Sequence, residues 1–200
     1  METIETYNAA GIVPYAKEKS FSEKRTRLAA PAYGIAFVSS ASQVPDRLWV
    51  SAPGFRVEGR RWYEALEQSA LDGQFKFLYA VISHSGEPIG VAPAFLMDVP
   101  MARVAPEKLL PLIQFLGRFF PSILHQRTLF IGNPCGDEGA IGILAGTGRR
   151  GVLLALHDAL EEKARLLGAK LVVWKEFPES LRRDLDWLMS RRGLFRSASL

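Results

Sequence analysis

Two hundred residues, 48% apolar and 23% charged, suit one soluble domain that can bury a core without metals or disulfides. Twenty-five Lys and Arg against 21 Asp and Glu give a formal charge of +4, and residues 147–200 alone hold eleven basic and seven acidic side chains. No long block of like charge occurs, so a solvated basic face is favoured over DNA binding, and attraction to an anionic cofactor or an anionic envelope surface stays open. Cys135 is the single cysteine, which excludes an internal disulfide and fits a reducing compartment. The start Met1-Glu2-Thr3-Ile4-Glu5 lacks the basic and apolar runs of a secretory signal, and no run of about 18 apolar residues is present to form a transmembrane segment. The expectation is a cytoplasmic chain, with the inner face of the membrane as a further place of action.

Residues 1–33 carry Lys17-Glu18-Lys19 and Glu23-Lys24-Arg25 among Ser and Thr without strong periodicity, and read as a flexible or covering arm ahead of a domain over 34–200. Ile35-Ala36-Phe37-Val38 is a candidate strand. A short helix is expected over 44–50, begun by Pro45-Asp46, and another over 60–70 with Trp62, Leu66 and Ala70 on one face. Residues 75–82 and 89–97 read as an antiparallel pair joined by Ser85-Gly86-Glu87-Pro88, with Pro93 calling for a bulge or an edge position. A helix over 106–120 has Leu109, Leu110, Ile113, Leu116 and Phe120 as its apolar stripe, and Pro111 marks a late start or a kink. A strand over 128–131 follows, then the clearest helix, over 150–167, with Leu153, Leu156, Leu160, Ala164 and Leu167 on its buried face and Gly168 to end it. Leu171-Val172-Val173-Trp174 is a buried strand, a helix over 181–192 ends at Gly193, and residues 195–200 open one more strand. The order predicts an α/β domain on a mixed sheet: an antiparallel hairpin, then a parallel strand–helix–strand unit. Trp49, Trp62 and Trp187 read as packing residues.

The stretch richest in chemistry is 129–151, where a strand enters a loop with glycines at 132, 136, 139, 142, 146, 148 and 151 and leaves it into the long helix. Glycines let backbone amides approach a ligand, and the helix start offers unpaired N–H groups and a positive dipole end. Connections beyond about 12–15 residues are often functional. With Arg149 and Arg150 added, Gly146, Gly148 and Gly151 suit an anionic, phosphate-bearing cofactor. Asp137 and Glu138 are the candidate catalytic carboxylates, Glu138 as the base that takes a proton from an amine or hydroxyl, with turn capping the plainer role of Asp137. Asn133, Lys175 and Glu176 stand just past strand ends, where side chains often face ligands, and are candidate substrate contacts, with pairing to surface charges the equal alternative for Lys175 and Glu176. Cys135 has no histidine at a telling spacing, since His84, His125 and His157 are scattered, and the same three make no metal-ligand pattern. No phosphate loop of the Walker type occurs.

With Gly132-Asn133-Pro134 through Gly142, the helix from Arg150 and Leu171 through Pro178 in view, the chain resembles the FemAB-like, peptidoglycan biosynthesis or recognition branch of the GNAT N-acyltransferase superfamily over about residues 45–200. The resemblance implies a GNAT-like fold, truncated before its last strands, and transfer of an acyl or aminoacyl group to an amine acceptor in peptidoglycan metabolism. It implies acetyl-coenzyme A or another acyl-coenzyme A as donor, held by backbone amides after the fourth strand, or aminoacyl-tRNA. In such enzymes that loop reads Gln or Arg, two residues, Gly, one residue, then Gly or Ala; residues 146–151 occupy its place and depart from the pattern. FemAB-like proteins carry two GNAT-like halves, so a second half or a homo-oligomer is the implied partner.

Two other readings come from different classes. A non-catalytic half-domain would bind a cell-wall precursor or a partner protein. A Rossmann-like NAD-binding protein would use Gly146-Thr147-Gly148-Arg149-Arg150-Gly151 as its fingerprint and Glu176 as the ribose acid, against the upstream hairpin and the distance from the strand ending at Ile131.

Overall fold

The computed structural model describes residues 10–14, 33–51, 55, 59–69, 73–105, 107–120, 123–136 and 139–194. Its frame is set by two strands, β3 (Lys76–His84) and β4 (Glu87–Pro100). Their turn is Ser85-Gly86 alone, both at positive φ (51° and 86°), which is what a two-residue hairpin loop requires. Alternation along β3 then feeds two cores. Leu78, Ala80 and Ile82 enter one cluster, and Phe77 and Tyr79 enter the other. The sheet is thus the middle of three layers.

On one face, α5 (Arg149–Leu166) lays Val152, Leu153, Leu156, Leu160 and Ala164 against Leu129, Ile131, Val172 and Trp174, and α6 (Glu179–Arg192) adds Leu188. The three- and four-residue spacing of those side chains makes the helix. It stops at Gly168 (φ 70°), where Ala169 N–H donates to Ala164 O at 2.8 Å and Gly168 N–H to Arg165 O at 3.2 Å. On the other face, α1 (Asp46–Ser51) and α2 (Arg60–Gln68) bury Leu48, Trp49, Tyr63 and Leu66. Tyr63, not Trp62, is the inward aromatic of α2: its ring sits 5.3 Å from Trp49 and 5.8 Å from Tyr79, whereas Trp62 is 40% exposed. The expected face is therefore corrected at Trp62, Leu66 is buried as expected, and Ala70 lies outside the described residues.

Six strands between Tyr33 and Lys175 form a mixed, mostly antiparallel sheet with one parallel pair. From the edge they run β2 (Tyr33–Val38), β3, β4, β5 (His125–Ile131) and β7 (Leu171–Lys175), while β6 (Gly142–Ile143) pairs with β4. β5 and β7 are parallel, Thr128 facing Leu171 and Ile131 facing Trp174, as the strand–helix–strand order predicts. A seventh strand, β1 (Ala10–Pro14), lies antiparallel on the outer side of β7, from Ala10 opposite Lys175 to Pro14 opposite Leu171. Part of the N-terminal arm, read as flexible or covering, is thus a strand of the sheet. The strand expected over 195–200 lies outside the described residues.

β4 has two partners on one side. Ala94 to Pro100 face β5, and Gly90 and Val91 face β6. Pro93 falls in the gap between them: its missing N–H points where no strand runs, and its carbonyl accepts from Gly132 N–H at 3.0 Å. The proline expected at an edge or bulge is accommodated in an inner strand, at the place where the neighbour changes.

Between β4 and β5 the chain makes an excursion through α3 (Met101–Val104), a 3-10 turn at Glu107–Leu109 and α4 (Leu110–Gly117). Pro111 sits in the first turn of α4, so it marks a late start rather than a kink. Of the expected apolar stripe, Leu110, Ile113 and Leu116 are half-buried while Leu109 is 47% and Phe120 59% exposed, and Gly117 is the residue α4 buries fully. Among the described residues no helix is long and apolar enough to cross a membrane.

Candidate ligand loop at the ends of the parallel strands

The loop after β5 is folded back onto the end of β7. Gly132 leaves the strand at φ 128°, a conformation that L side chains rarely adopt. Asn133 is fully buried, and its Oδ1 accepts from Cys135 N–H at 3.0 Å, a local turn of the kind Asn favours. Gly139 N–H donates to Glu176 O at 2.6 Å. A Cβ at Gly139 would overlap the Lys175 carbonyl oxygen and come within 3.2 Å of the Phe177 ring. Glycine is needed there for close packing of two backbones. Lys175 Nζ donates to Gly136 O at 3.1 Å and pairs with the Glu176 carboxylate, and Glu176 itself is at φ 49°. The structure thus brings Asn133, Lys175 and Glu176 together, as holders of the loop. Asp137 and Glu138, the candidate catalytic pair, lie outside the described residues. Cys135 is exposed.

The second half of the loop returns through β6 to β4, where Leu144 N–H donates to Ile89 O at 2.8 Å. Thr147 Oγ1 donates to Leu144 O at 2.6 Å and closes the turn that Gly146 makes at φ 84°. Gly148 caps α5 without a side-chain bond to its amides. A Cβ on Gly148 would stand 3.3 Å from Tyr33 Oη, and one on Gly151 2.9 Å from Tyr33 Cε2. The Tyr33 ring therefore lies on the first turn of α5, and these two glycines admit it. Gly146 has open space around its Cβ position.

Arg149 and Arg150 both turn to Asp184 on α6, at 3.6 and 3.1 Å, and Arg150 also lies 5.4 Å above the Trp187 ring. With the arginine side chains about half exposed (49% and 48%), such pairs hold weakly and yield to a competing anion. Around them opens a cleft of about 850 Å³ lined by Arg149, Arg150, Glu179, Arg182, Arg183 and Asp184. Sequence reasoning missed Tyr33 and Asp184. Tyr33 stood at the boundary of the N-terminal arm, and Asp184 is one of several polar residues on a helix whose facing was not readable.

Behind the loop, His157 of α5 is 1% exposed, its ring 6.2 Å from Trp174 and its Nε2 3.3 Å from a Glu161 oxygen. Burial pushes its pKa below the ordinary value and Arg192 pushes the same way, while Glu161 and Asp158 pull it back. Among the described residues no group of three or more His, Cys, Asp or Glu is placed to hold a metal ion. Comparison with protein-family models, with curated proteins and with solved structures gives no match for this chain.

Proposed function

We propose that this chain is a GNAT-like N-acyltransferase whose donor, an acyl-coenzyme A or an aminoacyl-tRNA, is held by its phosphates at the start of α5. The observation that carries the reading is the divided sheet. β7 stays with β5 while β6 pairs with β4, so the chain leaves the end of the parallel pair at Ile131, returns to β4 at Gly142, and enters α5 with its first turn against Tyr33 and Asp184. Ligands of α/β sheets sit beyond the C-terminal ends of parallel strands, and a helix start there favours anions. The cleft sets Arg149, Arg150, Arg182 and Arg183 against Glu179, Asp184 and Asp186, a small positive excess beside the helix start. In this reading backbone amides of the loop polarise the donor carbonyl as charge develops, Glu138 takes the proton of the attacking amine, the new C–N bond forms as the donor C–S or C–O bond breaks, and the coenzyme A thiolate or tRNA ribose oxygen leaves and takes up a proton, without an intermediate on Cys135.

A second reading is favoured by a specific observation. Tyr33 covers Gly148 and Gly151, and Asp184 engages both arginines, so the loop glycines and charges have partners within the protein. That suits a non-catalytic module that binds a cell-wall precursor or another polypeptide.

Thermal unfolding with and without acetyl-coenzyme A, coenzyme A and NAD separates the readings. A ligand at about a hundred times its dissociation constant adds roughly 2.7 kcal/mol, or about 5–10 °C for a chain of this length. A shift with the coenzyme A compounds that Arg149→Ala/Arg150→Ala abolishes supports the transferase. A shift with NAD alone supports a dinucleotide-binding protein, and no shift with any of the three turns the weight to aminoacyl-tRNA or to the binding module.

A further inference from the structure

Nine large hydrophobic side chains are exposed among the described residues, and six of them, Leu109, Leu112, Phe115, Phe119, Phe120 and Ile123, fall in one fifteen-residue window. Phe115, Phe119 and Phe120 are 57%, 67% and 59% exposed. Leu112, Phe115 and Phe119 follow at three- and four-residue spacing, so they share a stripe that continues past the end of α4, where Phe119 N–H and Phe120 N–H still donate to Leu116 O at 3.0 and 2.8 Å. The excursion is anchored at its neck: Pro100 pairs with His125, and Met101 N–H donates to Leu124 O at 2.8 Å. Gly117 seats it on Leu124, 3.0 Å from whose Cδ1 a Cβ would stand. The apolar tip is thus held out by a fixed base.

The charge along this excursion is mainly positive. Residues 101–125 hold three Lys or Arg, at 103, 108 and 118, and a single acid at 107, and Lys108 and Arg118 are exposed. A short helix with Leu and Phe outward and basic residues at its ends matches the interface of an anionic bilayer, where rings enter the acyl boundary and cations meet headgroup phosphates. A protein groove would take one stripe, yet Phe120 and Leu109 widen this one.

We propose that the α4 excursion docks the protein on the surface of an anionic membrane, without spanning it. The candidate ligand loop leaves the other end of β5, whose seven residues span roughly 20 Å at about 3.3 Å each, so the loop stands clear of the lipid and open to solutes. This inference rests on the excursion alone and holds whatever the loop binds.

The test is co-sedimentation of the full chain with vesicles of phosphatidylcholine and phosphatidylglycerol, and with vesicles of phosphatidylcholine alone. Binding to the mixed vesicles is expected. Phe115→Ser/Phe119→Ser should weaken it by about tenfold or more, and Lys108→Glu/Arg118→Glu by about fivefold or more on the anionic vesicles alone. All four positions are exposed, and unchanged thermal unfolding of each variant shows that the fold is intact. No binding to mixed vesicles overturns the proposal, as does binding that both variants leave unaltered. A concentration-dependent dimer that Phe115→Ser/Phe119→Ser dissolves, with no vesicle binding, assigns the patch to a second copy instead.

Discussion

Gly90→Ala tests the division of the sheet directly. Gly90 faces Ile143 across the β4–β6 pair, and a Cβ there would stand 2.6 Å from Gly142 O, 3.3 Å from Ile82 Cδ1 and 3.4 Å from Ile143 Cα. The close neighbour is backbone, so it cannot swing away as a side-chain end does. Relief needs β6 to move off β4, which strains the Leu144 N–H to Ile89 O bond of 2.8 Å. Overpacking costs about 1–3 kcal/mol and a weakened buried hydrogen bond about 0.5–1.5 kcal/mol. The sum, roughly 1.5–4.5 kcal/mol, lowers the melting temperature by roughly 3–18 °C at about 2–4 °C per kcal/mol for a chain of this length. Urea unfolding followed by circular dichroism measures it. Gly73→Ala is the control: nothing lies within 4 Å of its Cβ position, so it should be neutral or slightly stabilising. If Gly90→Ala unfolds within about 0.5 kcal/mol of the parent, β6 does not press on β4 and the account of the split sheet fails.

Three further outcomes follow from the same structure. His157 has a folded-state pKa below its unfolded value, chiefly through burial, so the unfolded chain takes up the proton first and stability falls as pH drops below about 6.5; His157→Gln should flatten the urea midpoint between about pH 7.5 and about pH 5.5, and an unchanged slope assigns the acid sensitivity elsewhere. Tyr79 is fully buried and its Oη has no hydrogen-bond partner within reach among the described residues, and burial, with the nearby Glu67 carboxylate next, holds its phenol far above the ordinary value and protonated; Tyr79→Phe should therefore change stability by less than about 0.5 kcal/mol, and a loss above about 1 kcal/mol in chemical unfolding would reveal a bond to that hydroxyl. The coenzyme shift and its loss in the Arg149→Ala/Arg150→Ala chain complete the set, read by thermal unfolding.

Much of the frame was legible because its signals are local. The spacing of Leu153, Leu156, Leu160 and Ala164 gives α5, Gly168 and Gly193 end helices at positive φ, and Ser85-Gly86 turns the hairpin. What escaped depends on distant neighbours. Trp62 and Tyr63 are both aromatic, and only the ring cluster at Trp49 and Tyr79 decides which faces in. β6 is two residues long, too short for any periodicity, so the sequence marks residues 141–145 only as a marginal strand. The candidate site was half legible: glycines mark where chain segments come close, yet they do not say what comes close. At Gly148 and Gly151 it is the Tyr33 ring, and at Gly139 it is the backbone of β7.

The placement of β1 has a consequence in time. Ala10 pairs with Lys175 and Pro14 with Leu171, so this strand closes a loop of about 160 residues, the costliest pairing in chain entropy that the sheet contains. It is made early by the ribosome and used late. At about 5–20 residues per second, roughly ten to thirty seconds separate the synthesis of Ala10 from that of Lys175. During that interval the β3–β4 hairpin can assemble from local contacts while the first strand waits for its partner. A β1 arriving from a neighbouring chain would fit the same register, so crowded synthesis favours exchange of this strand between copies, and dilute refolding favours its return to its own sheet.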